Sequence, residues 1–151
     1  MPNTYSSHFF HIVFSTKNRR RLITQEIEKK IWTFISGSVK RAGATPLRVG
    51  GYDDHIHVLM MAKPSSNTSK IVQQIKGESS RWISQTFENR RTFKWQDGYA
   101  SFTVSRSALS SVEAYIKNQR SHHSRMGFED EYRKLLDLHD VDIVDEKYLF
   151  G

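Results

Sequence analysis

The segment Asp54-His55-Ile56-His57-Val58 places two imidazoles one residue apart. In an extended strand, residues i and i+2 project from the same face about 6.6 Å apart, so His55 and His57 can grip one divalent cation from one side while Ile56 points into the other face. A purely structural histidine pair satisfies the same spacing. A second group follows at Tyr115-Ile116-Lys117-Asn118-Gln119, where helical i, i+4 spacing stacks a phenol and a carboxamide on one face. Gln119 offers a neutral oxygen to a hard cation. If it joined an ion held by the two histidines, Tyr115 would meet the same phosphate that the ion polarises. Read apart from the histidines, the pentapeptide is equally a tyrosine half-buried against a sheet beside a solvated glutamine.

These groups need a frame, and hydrophobic periodicity supplies one. Ser7 to Phe14 alternates as a strand, with Phe10, Ile12 and Phe14 on one face and Phe9, His11 and Val13 on the other. Ile27, Ile31, Phe34, Ile35 and Val39 recur at helical spacing from near Thr24 to Gly43. Pro46 to Tyr52 and His55 to Met61 read as strands joined in a tight hairpin through Asp53-Asp54. A second long helix runs through Ile71, Val72, Ile75, Ser79, Trp82, Ile83 and Phe87, and Tyr99 to Ser105 is a further strand. Ser110-Ser111-Val112-Glu113 has the form of a capping box opening a helix through about His123, and Phe128 to Leu138 predicts a last helix. The order βαββαβ plus helices predicts an α+β chain with a ferredoxin-like (RRM-like) antiparallel sheet.

With 151 residues and 17.6 kDa, the chain suits one core that buries about 70% of its unfolded surface. The absence of cysteine excludes thiol catalysis, cysteine-ligated zinc and a disulfide framework. No apolar run approaches the ~20 residues of a membrane span, and no secretory leader is evident; a cytoplasmic, nucleoid-associated protein is expected. Residues 1–125 hold 20 basic and 8 acidic side chains, and residues 126–151 hold 3 and 8, so a body of +12 carries a tail of −5. A body so basic points to a polyanion, with nucleic acid first, because Lys and Arg contacts to phosphate release counterions.

Five landmarks occur in order: an N-terminal strand followed by the basic loop Lys17-Asn18-Arg19-Arg20-Arg21; Asp54-His55-Ile56-His57-Val58-Leu59; Lys76-Gly77-Glu78-Ser79-Ser80; Trp95-Gln96-Asp97-Gly98-Tyr99; and Tyr115-Ile116-Lys117-Asn118-Gln119. Together they resemble the single-tyrosine transposases of the HUH endonuclease superfamily, which include small insertion-sequence transposases and their domesticated REP-associated relatives. The resemblance covers most of the chain and implies His55, His57 and Gln119 as ligands of Mg²⁺ or Mn²⁺ and Tyr115 as the nucleophile. It implies cleavage and rejoining of single-stranded DNA through a 5′-phosphotyrosine, recognition of a hairpin beside the cleavage point, and a homodimer in which the tyrosine helix of one subunit completes the histidine site of the other, although the stretch Ser105 to Ser111 could carry that helix in cis or in trans. Two-tyrosine relatives carry a second tyrosine one turn away on the nucleophile helix, where this chain has Gln119. Residues 1–125 are expected to form the transposase domain, and 126–151 an acidic helix and tail packed on it or extending from it.

Candidate phosphate contacts are Lys17, Arg19, Arg20 and Arg21, then Lys70, Lys76 and Arg81 on the second helix, and Arg120 and Arg125 beyond the tyrosine. Trp95 and Tyr99 read as core or sheet-edge aromatics that could alternatively stack on bases. His122 and His123 read as DNA or solvent contacts; His8, His11 and His139 lack an identifiable partner; Tyr5, Tyr52, Tyr132 and Tyr148 read as structural. The rival classes are a non-catalytic RRM-like binder of single-stranded nucleic acid, which needs aromatics on an open sheet face, and a metal-dependent phosphodiesterase that uses water and leaves no protein–DNA adduct.

Overall fold

A computed structural model describes residues 5, 6, 8–123, 126–143, 149 and 150, so Arg125 and Tyr148 lie outside the described residues. The elements are β1 (Phe9–Ser15), α1 (Glu28–Arg41), β2 (Thr45–Tyr52), β3 (His55–Met61), α2 (Thr68–Thr86), β4 (Ala100–Val104), α3 (Leu109–Lys117), α4 (Gln119–His123) and α5 (Phe128–Leu138). The strands form one antiparallel sheet in the order β2-β3-β1-β4. This is the ferredoxin-like arrangement expected of βαββαβ, followed by three extra helices.

Because successive strand residues face opposite ways, the sheet has two distinct sides. On one, Ile12 and Phe14 of β1 and Ile56, Val58 and Met60 of β3 pack on Ile31, Ile35 and Val39 of α1 and Ile71, Val72, Ile75 and Ile83 of α2. Asn67 caps α2 by accepting from the Lys70 amide at 3.2 Å. On the other side, Phe9, Leu59 and Val104 meet Ile116 of α3, while Val13, Ala100 and Phe102 meet Phe128, Tyr132 and Leu136 of α5. The acidic segment therefore packs onto the sheet through α5.

Two expectations about local structure are corrected. The capping box at Ser110 does not form, because a 3-10 turn at Arg106–Ala108 leads straight into α3 at Leu109 and leaves Ser110 inside the first turn. The single helix expected through His123 is divided at Asn118 (φ −95°, ψ 18°), and α4 begins at Gln119. Helix α1 starts at Glu28, later than Thr24, and ends before Gly43, whose φ of +90° only glycine adopts freely. Among the described residues, no helix is long and apolar enough to cross a membrane.

Candidate metal and nucleophile site

Strand β3 lies between β2 and β1, so His55 and His57 are both fully buried on the side covered by α3, α4 and α5. Gly50 of β2 pairs with His57. A Cβ at Gly50 would sit 2.9 Å from Ile116 Cγ2 and 3.0 Å from the Ile116 carbonyl oxygen, so the glycine lets α3 lie directly on the sheet. That approach brings the Tyr115 ring within 5.6 Å of the His57 ring, centroid to centroid. The break at Asn118 then directs Gln119 inward, where it is 1% exposed.

The predicted quartet converges, and four residues not assigned to it join. Gln119 Oε1 lies 2.8 Å from His55 Nε2. Asp54 Oδ1 lies 2.8 Å from His55 Nδ1, which fixes the ring and leaves Nε2 turned to the cluster. His57 Nδ1 lies 2.8 Å from Nε2 of His11, so His11, which showed no partner in the sequence, backs His57. Glu131 of α5 enters from the acidic segment and is 1% exposed. Its Oε1 lies 3.2 Å from both His55 Nε2 and His57 Nε2, and 2.9 Å from His123 Nε2. Its Oε2 accepts from the Tyr115 hydroxyl and, at 3.0 Å, from Gln119 Nε2. His123 is thus part of the cluster instead of a DNA or solvent contact, stacked on Tyr52 at 5.4 Å.

The electrostatics follow from burial and from these neighbours. Burial alone would lower the pKa of His55, but hydrogen bonds to Asp54 and Glu131 and the charges of both carboxylates outweigh it and raise the value to about 9. Burial lowers His57, against the pull of Glu131, and lowers His11 further with His57 beside it. Burial would raise the Glu131 carboxyl, yet His57 and the hydrogen bonds of His123, His55 and His57 hold it well below the usual carboxylate range. Tyr115 is pushed far above an ordinary phenol by burial and by the adjacent Glu131 charge.

The donor set suits a hard divalent ion: two imidazole nitrogens, an amide oxygen and a carboxylate. His55, His57 and Glu131 each offer a ligand atom within one cluster, and so do His122, His123 and Glu131. His123 Nε2 is buried and stands 2.9 Å from Glu131 Oε1. A cation held by His55, His57 and Gln119 fits this arrangement. Between Tyr115, His122, Glu131, Leu135 and Leu138 a cleft of about 450 Å³ opens beside the phenol.

The candidate phosphate contacts differ in their surroundings. Arg20, Arg21, Lys70 and Arg81 are exposed. Lys17 pairs with Asp97 at 3.2 Å and Arg19 with Glu129 at 2.8 Å. Lys76 donates to the carbonyls of Gln96 and Gly98, and burial lowers its pKa to about 8 against the pull of Asp97. Arg120 donates to Glu28 at 2.8 Å and to Asp53 at 2.9 Å, tying α4 to α1 and to the hairpin turn. Trp95 is a core residue whose Nε1 donates to Ser79 Oγ at 2.9 Å, and Tyr99 packs against the same core. His139 stacks on Phe102 at 4.3 Å.

Comparison with known proteins places this geometry in a family. Residues 4–119 match the model of the family described as Transposase IS200 like. The chain is 28% identical over 116 residues to the transposase for insertion sequence element IS200 of Salmonella typhimurium, covering 73% of this chain and 75% of that protein. It is 21% identical over 115 residues to the ISDra2 transposase TnpA of Deinococcus radiodurans, covering 73% and 82%. In fold it is similar to a crystal structure of a transposase from Deinococcus radiodurans R1, with TM-score 0.64, 21% identity and coverage of 79% and 95%. It is also similar to a REP-associated tyrosine transposase bound to a REP hairpin, with TM-score 0.61, 14% identity and coverage of 83% and 74%.

Proposed function

The chain belongs to the IS200-like transposase family, and from that premise we propose that it cleaves and rejoins single-stranded DNA by metal-dependent transesterification through a covalent bond to Tyr115. One observation carries the reading: Tyr115, Gln119, His55 and His57, drawn from a helix pair and a strand far apart in the sequence, meet in one buried cluster beside an open cleft. Mg²⁺ or Mn²⁺, when bound by His55, His57 and Gln119, supplies Lewis-acid polarisation of the scissile phosphate. Tyr115 Oη forms the bond to phosphorus, the bond from phosphorus to the 3′ oxygen breaks, and that oxygen leaves as a 3′-OH once protonated. Glu131 Oε2 accepts a hydrogen bond from the phenol and so orients it, and the proton the phenol loses reaches the departing 3′ oxygen through solvent. Attack by another 3′-OH on the phosphotyrosine reverses the step and rejoins strands without a nucleotide cofactor.

Residues 1–125 supply the transposase domain in this reading, and the exposed Arg20, Arg21, Lys70 and Arg81 are the candidates to hold the DNA backbone, while Lys17, Arg19, Lys76 and Arg120 also make contacts within the chain. The relative bound to a REP hairpin supports a hairpin substrate for this chain as well. Tyr115 sits against the histidines of its own chain, the cis arrangement, and mixed subunits distinguish it from a site completed by a dimer partner. An RRM-like binder is disfavoured because Phe9 and Phe102, on the sheet face such a module would leave open, are buried under helices.

Incubation with 3′-labelled hairpin DNA and Mn²⁺ is expected to give a denaturation-resistant protein–DNA adduct that Tyr115→Phe abolishes. A mixture of His57→Ala and Tyr115→Phe subunits is expected to give none, and recovery would show trans sites. Cleavage without adduct would replace this reading with a water-using phosphodiesterase.

A further inference from the structure

We propose that Glu131 is a further ligand of the metal at the His55–His57 site, binding through Oε1 while Oε2 holds the Tyr115 hydroxyl, so that α5 adds a ligand from outside the family match. The proposal rests on the metal-dependent reading above. The family match ends at Gln119, and Glu131 lies beyond it in the acidic segment.

Three features carry the assignment. The first is convergence. With Nδ1 engaged by Asp54, His55 turns its Nε2 to Gln119 Oε1 at 2.8 Å and Glu131 Oε1 at 3.2 Å. Glu131 Oε1 faces His57 Nε2 at 3.2 Å and His123 Nε2 at 2.9 Å as well. Imidazole nitrogens and an amide oxygen thus gather around one carboxylate oxygen, the donor set a hard divalent ion takes.

Spacing is the second feature. Six-coordinate ligands at 2.0–2.1 Å from a hard divalent ion lie about 2.8–3.0 Å apart along each octahedral edge. The separations of 2.8 and 3.2 Å among His55 Nε2, Gln119 Oε1, His57 Nε2 and Glu131 Oε1 bracket that edge.

The third feature is fixation. Glu131 is fully enclosed, and its helix is anchored on either side by Phe128 and Tyr132, both packed against β1 and β4. A carboxylate so placed has lost its water and requires a charged partner. Held at one end by the ion and at the other by the phenol, it would position the nucleophile relative to the metal.

The test is Mn²⁺ binding to the full chain, followed by titration calorimetry and by the water-proton relaxivity of bound Mn²⁺, for wild type, Glu131→Gln, Glu131→Ala and His57→Ala. Wild type is expected to bind. Loss of the carboxylate should weaken binding at least about tenfold, the lower end of what disturbing a metal site costs. Glu131→Ala should also raise the relaxivity, as water takes the vacated position. Circular dichroism on each variant confirms folding, and Glu131→Gln keeps the side-chain volume should the alanine variant unfold. Equal affinity in wild type and both Glu131 variants overturns the proposal while leaving the metal-dependent reading intact. Tighter binding in the variants overturns it differently, making Glu131 an occupant that competes with the ion. No binding by wild type, with His57→Ala indistinguishable from it, overturns the metal-dependent reading and the proposal together.

Discussion

The two sides of the sheet are built from the same four strands yet differ in kind. Under α1 and α2 the contact is almost wholly aliphatic and aromatic, with Ile12, Phe14, Ile56, Val58 and Ile75 excluded from water. Under α3, α4 and α5, the same strands present His11, His55 and His57, and the helices answer with Tyr115, Gln119, His123 and Glu131. The first side gains its stability chiefly from apolar area. The second buries charge that is tolerable only because each group has an ionic or hydrogen-bonding partner, and this makes it the weaker contributor to stability and the chemical one. Adjacent residues of β3 belong to opposite regimes: Ile56 to one side, His55 and His57 to the other.

A pair of substitutions on that strand tests the division most severely. Ile56→Ala should cost about 2–5 kcal/mol of stability by opening a cavity in the apolar layer, and the protein that remains folded should bind Mn²⁺ as wild type does. His57→Ala should abolish the metal-dependent adduct while shifting the denaturant midpoint less than Ile56→Ala does. Urea unfolding and Mn²⁺ titration of both variants check this. If His57→Ala proved the more destabilising of the two, the histidine side would be a structural core, and the division of labour would fail.

Gly50→Ala probes the seam between the regimes, with a smaller effect. The added methyl would press on Ile116 Cγ2 at 2.9 Å and on the rigid Ile116 carbonyl at 3.0 Å, so α3 must move outward. Overpacking of this sort costs about 1–3 kcal/mol. Because Tyr115 precedes Ile116, adduct formation should fall by more than the stability loss accounts for. Equal adduct yield from folded wild type and variant would show that the phenol does not depend on how closely α3 approaches.

The two sides were also unequally legible in the sequence. Periodicity located the hairpin, α2 and both ends of α5, because apolar side chains at spacings of two or 3.6 report only on which face is buried. The histidine pair, Tyr115 and Gln119 were legible because their spacing within a strand or a helix is itself a chemical pattern. His11, His123 and Glu131 were not, since their partners are far away in the chain and no local spacing encodes such a meeting. A signal was nevertheless present. His11 occupies an inward step of a strand between Phe9 and Val13, and Glu131 interrupts the stripe Phe128, Tyr132, Leu136 on a buried helix face. A polar group on a stripe otherwise apolar marks an interior that needs a partner. The capping box at Ser110 failed for the opposite reason: the local pattern was present, but the 3-10 turn before it took over the start of the helix.

Titration gives the finest contrast, because the two sides should respond to pH with opposite signs in metal-free buffer. His55 is raised from 6.5 to about 9 by Asp54 and Glu131 acting against burial, so between those values the folded chain holds a proton that the unfolded chain has lost. Stability from this group is complete below 6.5 and is lost as pH rises through about 9. His11 and His57, held neutral by burial, withdraw stability as pH falls below 6.5, leaving the histidine side most stable near neutrality. Lys76, at the margin of the apolar side over Phe14, is lowered from 10.5 to about 8 by burial, against Asp97. There the unfolded chain binds the extra proton, and stability rises with pH from about 8 to 10.5. Lys76 is partly exposed, so solvent screening makes its contribution the smaller of the two. Melting temperatures in chelator should therefore decline from pH 6.5 toward 9. His55→Gln should flatten that decline, and Lys76→Met should steepen the curve above pH 8 by removing the opposing rise. A wild-type curve that climbs between 6.5 and 8 would mean that His55 does not keep its proton in the fold, and that the Asp54 and Glu131 carboxylates are not matched against it.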